Sequence, residues 1–80
     1  MKEKIIELMK SKLFYYDKSS NETIMTFIKE YRDNWGYLCE DKIYINIDNK
    51  TVICESDYEA MEIDTEILLI LNQIFEIFNS

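Results

Sequence analysis

The sequence is 80 residues long and carries 16 acidic against 9 basic side chains, a formal net charge of −7. A chain this short forms one domain, residues 1–80, and buries only about 60% of the surface that its unfolded form exposes. Its acidity argues against direct contact with nucleic acids or membrane headgroups, and no run of about 18 apolar residues suggests a membrane span or secretion signal, so we expect a cytoplasmic protein.

Residues 3–13 place apolar side chains at helical spacing, with lysine and glutamate between them. This pattern predicts an amphipathic N-terminal helix of about three turns. Its apolar residues are Ile5, Ile6, Met9 and Leu13. Residues 17–21, rich in serine and asparagine, then predict a loop.

Residues 22–33 admit two interpretations. Ser19 with Glu22 three residues later forms a capping-box pattern, and the apolar spacing that starts at Ile24 favours a second helix. The same stretch is rich in β-branched and aromatic residues, and the sequence Asp33-Asn34-Trp35-Gly36 suits a hairpin loop with glycine at a bulge. We favour the helix, and the alternative is the first strand of a three-stranded meander.

Strict alternation of apolar and polar residues further along the chain gives the clearest fold signal. It predicts a half-buried β-hairpin within residues 37–56. A two-residue turn at positions 49 and 50 would place Ile47 opposite Val52 and bring all the apolar side chains onto one face. These side chains are Ile43, Ile45, Ile47, Val52 and Cys54.

The two cysteines do not form a recognisable metal motif. Cys39 and Cys54 show no Cys-x-x-Cys spacing, and the sequence contains no histidine, so a zinc site would have too few ligands. We expect two core thiols in a reducing compartment, with neither a cofactor nor a bound metal. The lack of histidine also removes the usual general base near neutral pH, so we do not expect an enzyme.

Residues 64–79 are strongly apolar and predict a long C-terminal helix. The apolar arc covers about half of the helical wheel and consists of Ile67, Leu68, Ile70, Leu71, Ile74, Phe75, Ile77 and Phe78. Leu69 falls in the middle of the polar remainder. So wide an arc suits either a helix laid over a sheet or a helix shared with a second subunit.

Together these elements predict an α+β domain, in which the N-terminal and C-terminal helices cover the apolar face of a small antiparallel sheet. The sheet is either the hairpin alone or the three-stranded meander. The C-terminal helix also suggests one candidate function, a homodimeric structural or regulatory accessory that self-associates through Leu69. An antitoxin-like partner of a basic toxin is a related possibility.

The acidic residues are concentrated in the second half of the chain. Residues 40–80 hold ten acids and two bases, and residues 55–66 carry six carboxylates and no base. In an extended strand, alternate residues of this run share one face at a spacing of about 6.7 Å. The run predicts a site for a basic partner surface, and the alternative is a solvated edge that blocks aggregation. The candidate partner-binding residues are Glu55, Asp57, Tyr58, Glu59, Glu62 and Asp64.

In size, acidity and expected mixture of helices and strands, the chain resembles small phage-encoded inhibitors of bacterial defence and repair enzymes, such as DNA-mimicking anti-CRISPR proteins and the uracil-DNA glycosylase inhibitor. The resemblance covers the composition of the whole chain and no sequence motif, so no site residue is carried over from it. It implies stoichiometric, non-catalytic binding to a nucleic-acid-binding protein, such as a nuclease or immunity complex, in the cytoplasm of a bacterial host.

Overall fold

The computed structural model describes residues 1–56 and 65–80 and has an α+β architecture. The elements are α1 (Lys2–Ser11), β1 (Tyr15–Tyr16), β2 (Ile24–Arg32), β3 (Leu38–Asn46), β4 (Thr51–Ser56) and α2 (Thr65–Phe78). The strands form one antiparallel sheet in the order β1-β2-β3-β4. The predicted fold class is confirmed, and the short strand β1 adds a fourth strand to the three-stranded meander of the alternative interpretation.

Helix α1 ends at Ser11, two residues earlier than predicted. Leu13 then adopts a left-handed conformation at φ 67°, and its N–H donates to the carbonyl oxygen of Lys10 at 3.1 Å. The N–H of Phe14 donates to the carbonyl oxygen of Met9 at 3.0 Å, which completes a Schellman motif with leucine where glycine is usual. Leu13 is therefore exposed, and Phe14 enters the core beside Met9.

The loop after β1 is held by side-chain hydrogen bonds and does not begin a helix. The hydroxyl and the backbone N–H of Ser19 both donate to Asp17 Oδ2, and these bonds lower the pKa of Asp17. Asn21 Oδ1 accepts from the N–H groups of Thr23 and Ile24, both at 2.8 Å. The capping box predicted at Ser19 is wrong, because Ser19 belongs to an Asx turn that leads towards a strand.

The helix favoured for residues 22–33 is also wrong, and the alternative strand is right. β2 pairs with β3 along its full length and with β1 on its other side. As an inner strand it is buried on both faces, and four consecutive residues, Met25 to Ile28, are buried. Burial on both faces removes the alternation that marks a half-buried strand, and the remaining apolar spacing imitates a helix.

The β3–β4 hairpin has the predicted apolar face and a different register. Ile45 lies opposite Val52, and Ile43 lies opposite Cys54, whereas the sequence predicted Ile47 opposite Val52. The turn spans residues 47–50, and the N–H of Ile47 donates to the carbonyl oxygen of Thr23, just before β2, at 3.2 Å. A shift of two residues keeps every side chain on its predicted face.

The core lies between the two helices and one face of the sheet, as predicted. It consists of Ile5, Met9, Phe14, Met25, Phe27, Ile43, Ile45, Ile67, Ile70, Ile74 and Phe78. Helix α2 begins and ends one residue inside its predicted bounds. Leu68 and Phe75 were predicted in its buried arc, but both are exposed, so the buried stripe is narrower than the sequence suggested.

Both cysteines are thiols, as predicted. Cys39 is buried, Cys54 is half-buried against the core, and no disulfide joins them. Burial, followed by the nearby Asp41 carboxylate, raises the pKa of Cys54. The Cys54 thiol therefore stays protonated at neutral pH and is a poor nucleophile.

Candidate protein-binding surface

One face of the sheet is covered by neither helix, and we call it the open face. Because successive residues of a strand point to opposite sides, the residues that alternate with Phe27 and Ile43 lie on it. Its residues in β2, β3 and β4 include Ile28, Glu30, Arg32, Leu38, Glu40, Lys42, Tyr44, Ile53 and Glu55. Tyr15 of β1 pairs with Ile28 and joins this face at the edge of the sheet.

Two glutamates face each other directly on the open face. Glu30 in β2 is the cross-strand partner of Glu40 in β3, and the Cβ atoms of such partners are about 5 Å apart. Like charges in this arrangement oppose folding. Contacts that offset part of the repulsion include the hydrogen bond from the Tyr15 hydroxyl to Glu30 Oε1 at 3.1 Å and the approach of Lys42 Nζ to 3.9 Å from Glu40 Oε2.

The two tyrosines of the open face are hydrogen-bonded to its carboxylates. Desolvation, followed by the hydrogen bond to Glu30, raises the pKa of Tyr15. Burial and a hydrogen bond to Glu55 raise the pKa of Tyr44 in the same way. Both phenols therefore stay protonated near neutral pH and donate to carboxylates, which fixes the position of the acceptor groups on this face.

The structure describes one of the six partner-binding residues predicted from the sequence. Glu55 lies in β4, exposed on the open face and opposite Lys42. The other five, Asp57, Tyr58, Glu59, Glu62 and Asp64, lie outside the described residues, and their roles stay predictions.

Glu30 and Glu40 were not among the predicted site residues. A helix over residues 22–33 removes β2 from the sheet and with it the pairing that brings Glu30 opposite Glu40. Once β2 is read as a strand, simple alternation places Glu30 on the side opposite Phe27. The carboxylates of the open face therefore reach from β4 to β2, with Lys42 between Glu55 and Glu40.

The loop between β2 and β3 is the second prominent surface feature, and we call this loop together with Leu38, the first residue of β3, the hairpin tip (residues 33–38). Asp33 Oδ1 accepts from the backbone N–H groups of Trp35 and Tyr37, both at 2.9 Å. The Asp33 N–H donates to the Tyr37 carbonyl oxygen at 3.0 Å. Gly36 adopts φ 84°, a conformation that favours glycine. The hairpin loop of the alternative interpretation is thus confirmed.

The hairpin tip holds large apolar side chains in solvent. Trp35 is 79% exposed, Tyr37 is 71% exposed and Leu38 is 57% exposed. The sequence predicts that most aromatic residues lie in the core or on the sheet surface, and the alternative is a protein interface with Tyr and Trp as anchors. The turn sequence Asp-Asn-Trp-Gly could have predicted this exposure, because a tryptophan in a hairpin loop lies at the end of the strands and away from the core.

The residue predicted for self-association also lies on the surface. Leu69 is 51% exposed on α2, and its neighbour Leu68 is exposed as well. Phe75 follows Leu68 by seven residues, so these two share one side of the helix, and it too is exposed. This strip gives self-association a physical basis, and the association itself stays a prediction.

The chemistry of the open face is suited to recognition. Carboxylates accept short, charge-assisted hydrogen bonds from arginine and lysine, and phenols add donors and apolar area.

Over residues 1–56 and 65–80, no group of three or more carboxylate or thiol side chains is placed to hold a metal ion. Neither of the two helices described combines the length and apolarity needed to cross a membrane.

No family model matches the chain, and no curated protein or solved structure is significantly similar to it. Its function is therefore inferred from the open face and the hairpin tip.

Proposed function

We propose that this protein is a stoichiometric inhibitor that binds the basic surface of a nucleic-acid-binding protein through its open face. The observation that supports this most directly is the pair Glu30 and Glu40, two like charges held opposite each other on neighbouring strands. Such a pair lowers the stability of the free protein. A lysine or arginine from a partner, placed between the two carboxylates, would replace this repulsion with two attractive contacts.

The spacing of the acidic groups also fits a surface that binds phosphates. Glu30 and Glu40 lie opposite each other across β2 and β3, about 5 Å apart. Glu55 in β4 is the diagonal neighbour of Glu40, about 7–8 Å away, because Lys42 stands opposite Glu55. Proteins that bind nucleic acids present lysine and arginine to neutralise phosphates at comparable separations.

The resemblance to small acidic phage inhibitors suggests which partner to expect. In those proteins an acidic surface replaces nucleic acid on a bacterial nuclease or immunity complex. The target we propose is of this class, bound in the cytoplasm of a bacterial host without catalysis.

Charge reversal on the open face should abolish most of the binding. The open-face variant carries Glu30→Lys, Glu40→Lys and Glu55→Lys, and we expect it to bind the partner at least about tenfold more weakly. The measurement is a pull-down from bacterial lysate with immobilised protein, followed by titration of the retained protein at increasing salt. Wild-type affinity should fall steeply with salt, because exposed charges are screened within about 8 Å at physiological ionic strength.

The matched control reverses three exposed glutamates on the helices, with Glu3→Lys, Glu7→Lys and Glu76→Lys. Each set of three reversals changes the formal charge by +6, from −7 to −1. The helix control should retain the partner far better than the open-face variant does. Equal loss in both variants, or a wild-type affinity that does not depend on salt, would contradict the proposal.

A second candidate function, a homodimeric accessory, is favoured by the exposed strip on α2. If a dimer interface includes both this strip and Leu69, which lies about 100° around the helix from Leu68, Leu69→Glu should give monomers, because it would place two carboxylates in an apolar contact. Leu69→Met keeps the apolar volume and should remain dimeric. Sedimentation velocity over a range of concentrations measures this. A monomeric wild-type protein at the highest concentration would rule out the dimer.

A further inference from the structure

We infer that the hairpin tip is the apolar anchor of the same interface, with Trp35 and Tyr37 entering an apolar pocket of the partner protein beside its basic surface. This inference rests on the proposed function. It assigns a role to a region with different chemistry from the open face, and it identifies the partner more narrowly, as a protein with an apolar pocket that borders a basic patch.

The tip exposes more apolar surface than a connecting loop requires. Short hairpin loops are usually built from glycine, asparagine, aspartate and serine, which satisfy the turn without apolar area. This loop instead holds the one tryptophan of the sequence, and 79% of that side chain is exposed. Tryptophan and tyrosine are the residues most enriched among those that dominate binding energy at protein interfaces.

The tip is held in place before any partner binds. The Asp33 carboxylate fixes the backbone on both sides of Trp35, and Gly36 N–H donates to the Asp33 carbonyl oxygen at 3.1 Å. Arg32 Nη1 donates to the Gly36 carbonyl oxygen at 2.8 Å and joins the end of β2 to the loop. A loop that is already ordered loses less conformational entropy on binding, so more of the contact energy contributes to affinity.

The tip is continuous with the open face. Leu38, at the start of β3, lies opposite Arg32 on the open side of the sheet and is 57% exposed. Glu40 follows two residues later on the same side, about 6.7 Å along the strand. A partner surface that covers Glu40 therefore also reaches Leu38, the residue that joins the tip to the open face.

The net charge of the molecule favours a protein, rather than a lipid or a nucleic acid, as the binding partner of the hairpin tip. With a net charge of −7 the chain is repelled by anionic lipid surfaces and by nucleic acid phosphates. Base stacking on aromatic side chains normally accompanies a basic groove, whereas the carboxylates of Glu30 and Glu40 lie next to this tip. A basic protein surface with an adjoining apolar pocket complements both features.

Trp35 reports on its own environment, because the sequence contains no other tryptophan. The probe is the protein that the wild type retains from bacterial lysate and the open-face variant does not. On titration with this probe, we expect the fluorescence of Trp35 to shift to shorter wavelength and to become protected from acrylamide. Trp35→Ala should weaken binding at least about tenfold, and lowering the salt should not restore it.

Asn34→Ala is the matched control, because Asn34 is an exposed residue of the same loop. It should bind like the wild type, and circular dichroism should show that both variants are folded. The inference would be overturned if Trp35→Ala bound the probe with full affinity and the Trp35 emission of the wild type did not change on titration. The proposed function would then still stand. If the wild type retains no protein that depends on the open face, the proposed function fails and the inference fails with it.

Two further titrations test other occupants. Vesicles of phosphatidylcholine, with and without phosphatidylglycerol, should leave Trp35 emission unchanged, and a shift would assign the tip to a membrane surface instead. Concentrating the protein alone should also leave the emission unchanged. A concentration-dependent shift would mean that a second copy of the chain occupies the tip, and it too would overturn the inference.

Discussion

Replacing Phe27 with alanine is expected to destabilise the domain by about 3–5 kcal/mol. Phe27 is fully buried in β2, where it faces Ile43 across the strand pair and packs against the ring of Tyr16, with 5.5 Å between ring centroids. Small domains have a total stability of only about 5 kcal/mol or slightly more. The variant should therefore be largely unfolded, which urea denaturation followed by circular dichroism will show.

Two controls separate cavity formation from the loss of a strand residue. Phe27→Leu retains an apolar side chain and should cost less than half as much as alanine. Ile53→Ala removes an exposed residue of β4 on the open face and should cost less than about 1 kcal/mol. If Phe27→Ala unfolds at the same urea concentration as Ile53→Ala, the core is not organised around Phe27.

The β3–β4 hairpin shows what alternation alone can predict. Period-two spacing correctly assigned the apolar face, because any even shift in register leaves that assignment unchanged. It could not fix the register. The turn is lengthened by a hydrogen bond from the Ile47 N–H to Thr23, a residue more than twenty positions earlier in the chain, and local sequence contains no signal for such a partner.

Strand β2 shows why the other central element was assigned wrongly. Periodicity detects a strand when one face is polar, and β2 has buried residues on both faces, Met25 and Phe27 on one and Thr26 and Ile28 on the other. The choice between helix and strand is then made by pairing with β3, which is tertiary information. The wrong assignment concealed Glu30, and with it the opposed pair on the open face.

The candidate site was predictable only in part, for a related physical reason. A run of carboxylates is visible in any sequence, so Glu55 and the residues after it were found. Opposed charges on neighbouring strands, and an aromatic side chain held in solvent by a rigid loop, depend on which strands pair. Both features depend on the pairing of β2 with β3 and on the loop that connects them, which contains Asp33 and Gly36.

Removing the Asp33 carboxylate is the change expected to affect the hairpin tip most. Asp33→Ala leaves the N–H groups of Trp35 and Tyr37 without the acceptor that orders the turn. Because a typical hydrogen bond contributes about 1 kcal/mol and Asp33 Oδ1 accepts two of them, we expect a loss of about 2 kcal/mol in the free energy of unfolding. We also expect Trp35 to become more mobile, which lowers its fluorescence anisotropy in the folded protein.

The loss should depend on the acceptor rather than on the charge. Asp33→Asn keeps an oxygen at the same position and should recover most of the stability and the anisotropy, while Asn34→Ala should change neither appreciably. Urea denaturation and steady-state anisotropy measure the two effects separately. An Asp33→Ala protein with wild-type anisotropy would show that the loop is ordered by other contacts. In that case the affinity of the tip could not be attributed to its preorganisation by Asp33, and Asp33→Ala should then bind the partner as tightly as the wild type.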